Sequence, residues 1–110
     1  MRLQVYAITV GLSAVYFWGW ALLNCLRVRD DDVTAFLTAA DELLAALRGR
    51  PGFLGGELGR AADDPQLFAL CTRWDGVGAY RRGLSAAEVK IAGAPVWVHA
   101  LDEPGVYLTQ

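Results

Sequence analysis

Val33-Thr34-Ala35-Phe36-Leu37-Thr38-Ala39-Ala40-Asp41-Glu42-Leu43-Leu44-Ala45-Ala46-Leu47-Arg48-Gly49-Arg50-Pro51-Gly52-Phe53 is the stretch on which the fold turns. Val33, Phe36, Leu37, Ala40, Leu43, Leu44 and Leu47 recur at spacings of three and four, which places one apolar stripe on a helix from about Val33 to Arg48. Asp30, Asp31 and Asp32 precede it and supply an N-cap and acidic charge that complements the helix dipole. Arg48 lies in the last turn, Gly49 is the expected C′ residue, and Pro51 forbids continuation. Gly52 then permits a tight reversal, and Phe53 starts the next strand.

On the N-terminal side of this helix is a strand-like run, Trp20-Ala21-Leu22-Leu23-Asn24-Cys25-Leu26-Arg27-Val28, apolar but for Asn24 until Arg27. On the other side, residues 53–60 form a Gly-rich strand candidate, and Asp63-Asp64-Pro65 reads as the turn of a hairpin into residues 66–74. There Phe68, Leu70, Thr72 and Trp74 share one face, and Leu67, Ala69, Cys71 and Arg73 share the other. Asp75 is placed to cap a short helix through Tyr80. Ser85-Ala86-Ala87-Glu88 has the form of a capping box, starting a helix that runs to Ala92 and is closed by Pro95. Residues 96–101 read equally as helix or strand, and residues 102–105 turn the chain into a last strand, 106–109.

The order is extension, strand, helix, two strands, helices, strand. That is the split β-α-β pattern of the α+β ferredoxin-like fold, an antiparallel sheet with helices on one face. The other face of such a sheet is bare in a monomer. Two sheets paired back to back, as in a dimeric α+β barrel, bury it, so a homodimer is expected.

At 110 residues the chain makes one domain. Its apolar fraction of 55% exceeds the usual ~45–50%, which calls for a subunit interface, an apolar pocket or a membrane contact. Ten basic against twelve acidic residues leave a net charge of −2 and no footprint for nucleic acid. Cys25 and Cys71 stand in apolar alternating runs, where a thiol behaves as a small buried hydrophobe, and a reducing cytoplasm is the default location. From Leu3 to Leu26 no residue is charged, the pattern of a spanning helix or, with Gly19 and Ala21, of a signal peptide. Gln4, Thr9, Ser13 and Asn24 interrupt this run and β-branched and aromatic residues dominate it. Residues 1–19 are therefore read as an apolar extension, with anchor or signal as alternatives, and residues 20–110 as the domain. Membrane contact through residues 1–26 is not favoured.

The ordered marks, a strand bearing Asn24, then Pro51-Gly52-Phe53 after the helix, then Arg73-Trp74-Asp75 with Ala79-Tyr80-Arg81-Arg82 behind, resemble the antibiotic biosynthesis monooxygenase family. The resemblance covers Trp20 to the C-terminus. It implies a small dimeric domain, and in its anthrone and naphthacenone oxygenase branch an enzyme that oxidises polyketide aromatics with O2 and without metal or flavin. In that branch the strand Asn and the Trp ending the third strand act on the substrate, usually with an Asn four residues before the Trp. Asn24 and Trp74 match these positions, whereas Leu70 stands at the third. The Pro104-Gly105-Val106-Tyr107 ending also resembles this branch. Haem-degrading members carry a Trp and a haem-ligating His in the second helical region; residues 83–93 have neither, so haem cleavage is not expected.

The candidate catalytic residues are thus Asn24 and Trp74, and the candidate substrate-binding residues Leu70, Phe36, Tyr80 and His99. Each also has a plain structural reading. Asn24 can satisfy a neighbouring backbone group, Trp74 can be core, and His99, the single His of the chain, can be a partly buried side chain rather than a base. Tyr80, Arg81 and Arg82 fit a solvated helix face, and capping accounts for Ser85. No metal-ligand spacing, phosphate loop or dinucleotide signature is present. The resemblance implies a small aromatic substrate and O2 as partners, with no cofactor. The alternative is a non-redox polyketide cyclase or aromatic-binding protein on the same fold.

Overall fold

The structure is a computed structural model and describes residues 20–101 and 106–108. In chain order the described elements are β1 (Trp20–Arg27), α1 (Val33–Arg48), β2 (Phe53–Ala61), β3 (Asp64–Trp74), α2 (Val77–Ser85), α3 (Ala87–Trp97) and β4 (Val106–Leu108). The strands form one antiparallel sheet in the order β2-β3-β1-β4. This is the ferredoxin-like α+β fold expected. β1 and β3 pair from Trp20↔Trp74 to Arg27↔Leu67, which sets the register of everything on the sheet.

α1 has the expected bounds. Phe36, Ala40, Leu43, Leu44 and Leu47 are buried on its stripe, and Leu37 at its margin is exposed. Each fully buried Phe or Leu contributes about 1.5–3 kcal/mol, so the stripe holds the helix to the sheet far more strongly than its caps do. The caps differ from expectation. Asp30–Asp32 wind into a 3-10 turn and none of their carboxylates caps the helix, leaving only their charge near its start. Gly49 ends the helix at φ −84° rather than left-handed. The left-handed residue is Gly52 at φ +85°, packed so closely on Ala79 that a side chain would not fit. That reversal sets Phe53 opposite Trp74.

β2 and β3 run further than expected, to Ala61 and Asp64, so the hairpin reverses through Ala62-Asp63, and Asp64-Pro65 belongs to β3. Asp64 Oδ1 accepts the Gln66 N–H at 3.1 Å, and Asp64 Oδ2 pairs with Arg27 at 3.1 Å. These contacts organise the turn from inside the strand, and together they hold the Asp64 carboxyl below its ordinary pKa.

Neither helix after the sheet starts as read from sequence. α2 begins after Gly76 without a side-chain cap from Asp75. Ser85 ends α2, its hydroxyl donating to the Arg81 carbonyl at 2.8 Å, and Glu88 turns outward to pair with Arg50 at 2.6 Å. With both box residues engaged elsewhere, α3 starts from Ala86. It continues through Pro95 to Trp97. Pro95 removes one backbone bond near the helix end, while Val89 and Val96, both sealed in the core, hold the last turns in place. Residues 96–101 thus divide between helix end and an extended segment. The expected turn at 102–105 and residue 109 of the last strand lie outside the described residues.

The core fills the space between helices and sheet, with Leu26, Val28, Phe68, Leu70 and Trp74 from the strands. The opposite side of the sheet carries Ala21, Leu23, Cys25, Leu67, Ala69 and Cys71, with Arg73 paired to Glu57 at its edge. Burial pushes the Cys71 thiol up to about 11. Because the reactive thiolate forms only as pH approaches that value, Cys71 is expected to resist iodoacetamide in the native protein at pH 8 and to react on unfolding, as peptide mass mapping would show. Rapid native labelling at pH 8 would refute this.

The extension, anchor and signal readings of residues 1–19 lie outside the described residues. The end of the uncharged run is strand β1, and no helix among the described residues is long and apolar enough to cross a membrane.

Candidate functional site

On the helix-facing side of the sheet the two central strands align Leu22 with Thr72, Asn24 with Leu70, and Leu26 with Phe68. Alternation makes Asn24 and Thr72 the polar pair of this otherwise apolar block. Asn24 is half-buried, but its Oδ1 is sealed from solvent and has no hydrogen-bond partner among the described residues. An amide oxygen left so costs about 1–3 kcal/mol, an unusual expense in a core strand unless a ligand supplies the donor.

His99 is brought to this region by the chain leaving α3. Arg27 N–H donates to the His99 carbonyl at 2.9 Å, Leu101 N–H donates to the Cys25 carbonyl at 2.9 Å, and Ala100 bridges to Leu26. This extended segment lies along the edge of β1 away from β3. It sets the His99 ring edge-on to Phe36, with centroids 5.5 Å apart, and Phe36 in turn leans on Phe68 at 5.0 Å. Asn24, Leu70, Phe36 and His99 therefore fall in one neighbourhood, formed by β1, β3, α1 and the segment after α3.

Trp74 and Tyr80 fall in another. The Trp74 indole is fully buried, with Phe53 at 5.1 Å and Tyr80 at 6.3 Å, and α2 crosses it at Gly83, where a side chain would collide with the ring. Its Nε1 donates to Thr72 Oγ1 at 3.0 Å. The ring faces and the N–H of Trp74 are thus both occupied within the chain. Tyr80 is half-buried against Trp74, while Arg81 and Arg82 are exposed as expected of a solvated face.

Between the two neighbourhoods stands Thr72, 2% exposed, to which sequence reading gave no role. Its signal was present: a hydroxyl two residues before a strand Trp, on the same face, among apolar neighbours. An amide and a hydroxyl in apolar surroundings are suited to orient a phenol and to stabilise its oxygen as charge develops there. Among the described residues no group of three His, Cys, Asp or Glu side chains is placed to hold a metal ion.

The profile of the family described as Antibiotic biosynthesis monooxygenase matches residues 21–92. No curated protein sequence matches the chain. Among solved structures, it is similar to SnoaB, a cofactor-independent oxygenase from Streptomyces nogalater, at 19% identity and TM-score 0.74 over 83% of this chain and 92% of that one. It is also similar to a conserved protein from Methanosarcina mazei, at 13% identity and TM-score 0.72 over 83% and 92%. A third similar structure, described as an antibiotic biosynthesis monooxygenase, has 16% identity and TM-score 0.69 over 83% and 96%. At these identities the structural likenesses speak for the fold, and the profile, spanning β1 to the middle of α3, speaks for descent: the chain belongs to the antibiotic biosynthesis monooxygenase family.

Proposed function

We propose that the protein is a cofactor-independent monooxygenase that oxidises a polycyclic aromatic phenol of polyketide type to a quinone with O2. The observation that carries this reading is the buried Oδ1 of Asn24 on the inner face of the sheet, without a hydrogen-bond partner among the described residues. Family membership and the likeness in fold to an oxygenase described as cofactor-independent support it.

An anthrone-type substrate needs little from the protein. Its ring CH2 loses a proton to give an enolate, which passes one electron to O2. The resulting radical pair recombines as a peroxide, and after protonation the O–O bond breaks with loss of water. The balance is CH2 + O2 → C=O + H2O, so no external reductant enters. The Asn24 amide holds two neighbouring substrate oxygens, Oδ1 accepting from a phenol O–H and Nδ2 donating to the keto oxygen as the enolate gains charge. His99, half-buried beside Phe36, takes the ring proton. Leu70 and Phe36 form the apolar wall that excludes water, and Tyr80 stands further along the site beside Trp74.

The reading includes a homodimer. Of the apolar back of the sheet, Ala21, Cys25, Leu67, Ala69 and Cys71 are already buried within the single chain, so the dimer rests on family membership rather than on a bare sheet face. The domain in this reading spans residues 20–110, with residues 1–19 as an extension.

The test is O2 uptake with 1,8-dihydroxyanthrone after dialysis against a chelator and without added flavin, together with light scattering at micromolar concentration. The expected result is one O2 consumed per quinone, faster than in buffer alone, from a particle of twice the chain mass. No acceleration across a panel of polycyclic phenols would overturn the oxygenase. Tight phenol binding with no O2 uptake would instead favour the cyclase reading, consistent with apolar Leu70 facing Asn24. A stable monomer would remove the dimer.

A further inference from the structure

We infer that Thr72 is a second hydrogen-bond donor to the reacting oxygen, with Trp74 as the positioning residue that orients its hydroxyl. The inference rests on the oxygenase reading above. Asn24 faces Leu70 across the strands, and Leu70 offers no polar atom to a developing oxyanion. The next position on the same face of β3 is Thr72, diagonal to Asn24. Diagonal neighbours on one sheet face lie ~7–8 Å apart at Cα, a span that one substrate oxygen bridges with a hydrogen bond to each side chain.

The direction of the Trp74–Thr72 bond makes Thr72 the donor. An indole N–H only donates, so at 3.0 Å the Thr72 oxygen must accept, and the hydroxyl keeps its own proton, turned away from Nε1. The Thr72 methyl lies toward β2, where it would crowd a side chain at Gly56, which leaves the hydroxyl the sides toward Trp74 and β1. Accepting one bond also strengthens a hydroxyl as donor of the next. The buried Trp74 thus reaches the chemistry through Thr72, without its ring touching substrate.

The rival account is that Thr72 only satisfies a buried indole N–H. A double-mutant cycle separates the two, reading kcat and KM for 1,8-dihydroxyanthrone oxidation by O2 uptake, with circular dichroism for folding. The variants are Thr72→Val, Thr72→Ser, Trp74→Phe, and Thr72→Val and Thr72→Ser combined with Trp74→Phe. Thr72→Val is expected to lower kcat on the order of 10²-fold with little change in KM, the size typical of one lost oxyanion donor. Thr72→Ser restores most of that rate. In the Trp74→Phe background, where no indole N–H needs a partner, Thr72→Val still lowers kcat at least about tenfold relative to Thr72→Ser if the hydroxyl serves the substrate. A fully active Thr72→Val, or a loss that vanishes in the Trp74→Phe background, would overturn the inference and leave the oxygenase standing. A parent protein that does not oxidise the anthrone would overturn both.

Discussion

Replacing Asn24 with alanine is expected to lower kcat for quinone formation on the order of 10²–10³-fold, the usual cost of one preorganised donor at a developing oxyanion. The same substitution should leave the fold as stable as the parent or slightly more so. The parent buries an amide oxygen without a partner among the described residues, and alanine removes that atom together with the polar group. Opposite signs for activity and stability are the mark of a residue kept for binding at some cost to the fold. O2 uptake and urea unfolding on the same preparations read both. Full activity in Asn24→Ala would make the amide structural and move the search to His99. A large loss of stability would mean that the amide is satisfied in the folded protein after all.

Trp74→Ala is expected to be the costliest single truncation for stability, at about 3–5 kcal/mol. The indole is sealed between Phe53, Tyr80 and Gly83, so its removal leaves a cavity that the sheet and α2 cannot close without shifting. Against a total of ~5–15 kcal/mol for a typical domain, much of the folded population is at stake. Trp74→Phe keeps most of the ring contact but takes the donor from Thr72 Oγ1, and about 1–3 kcal/mol covers that loss. Urea midpoints with unchanged slopes would measure both. A Trp74→Ala cost below ~1 kcal/mol would show that the ring is a pocket wall rather than core, contrary to its burial.

α1 and the alternation of β1 and β3 were legible because each is written in a local period, 3.6 or 2, that the core then enforces. Leu43 and Phe68 would be misplaced in any other phase. The caps were not legible. Ser85 and Glu88 have the spacing of a capping box, but Arg81 and Arg50 compete for them, and a partner 38 residues away is invisible to a local pattern. Pro95 likewise signals an end that the burial of Val96 overrides. At the site, sequence singled out Asn24, and the structure adds that its oxygen has no partner among the described residues. Sequence also grouped Trp74 with Asn24 as one set. That the indole N–H is engaged by Thr72 depends on side-chain rotamers, which residue spacing does not encode.

The strand order has a consequence for the growing chain. β1 is the first described strand to be synthesised, yet it ends between β3 and β4, and its long ladder is complete only when Trp74 has been made. At ~5–20 residues per second, an apolar strand with both edges open waits roughly 3–10 s for its first neighbour. Over that interval, Trp20–Arg27 is a substrate for chaperones or for another nascent copy. Yield in the cell is therefore expected to respond to the rate of translation across β2 and β3 more than to substitutions on the finished surface.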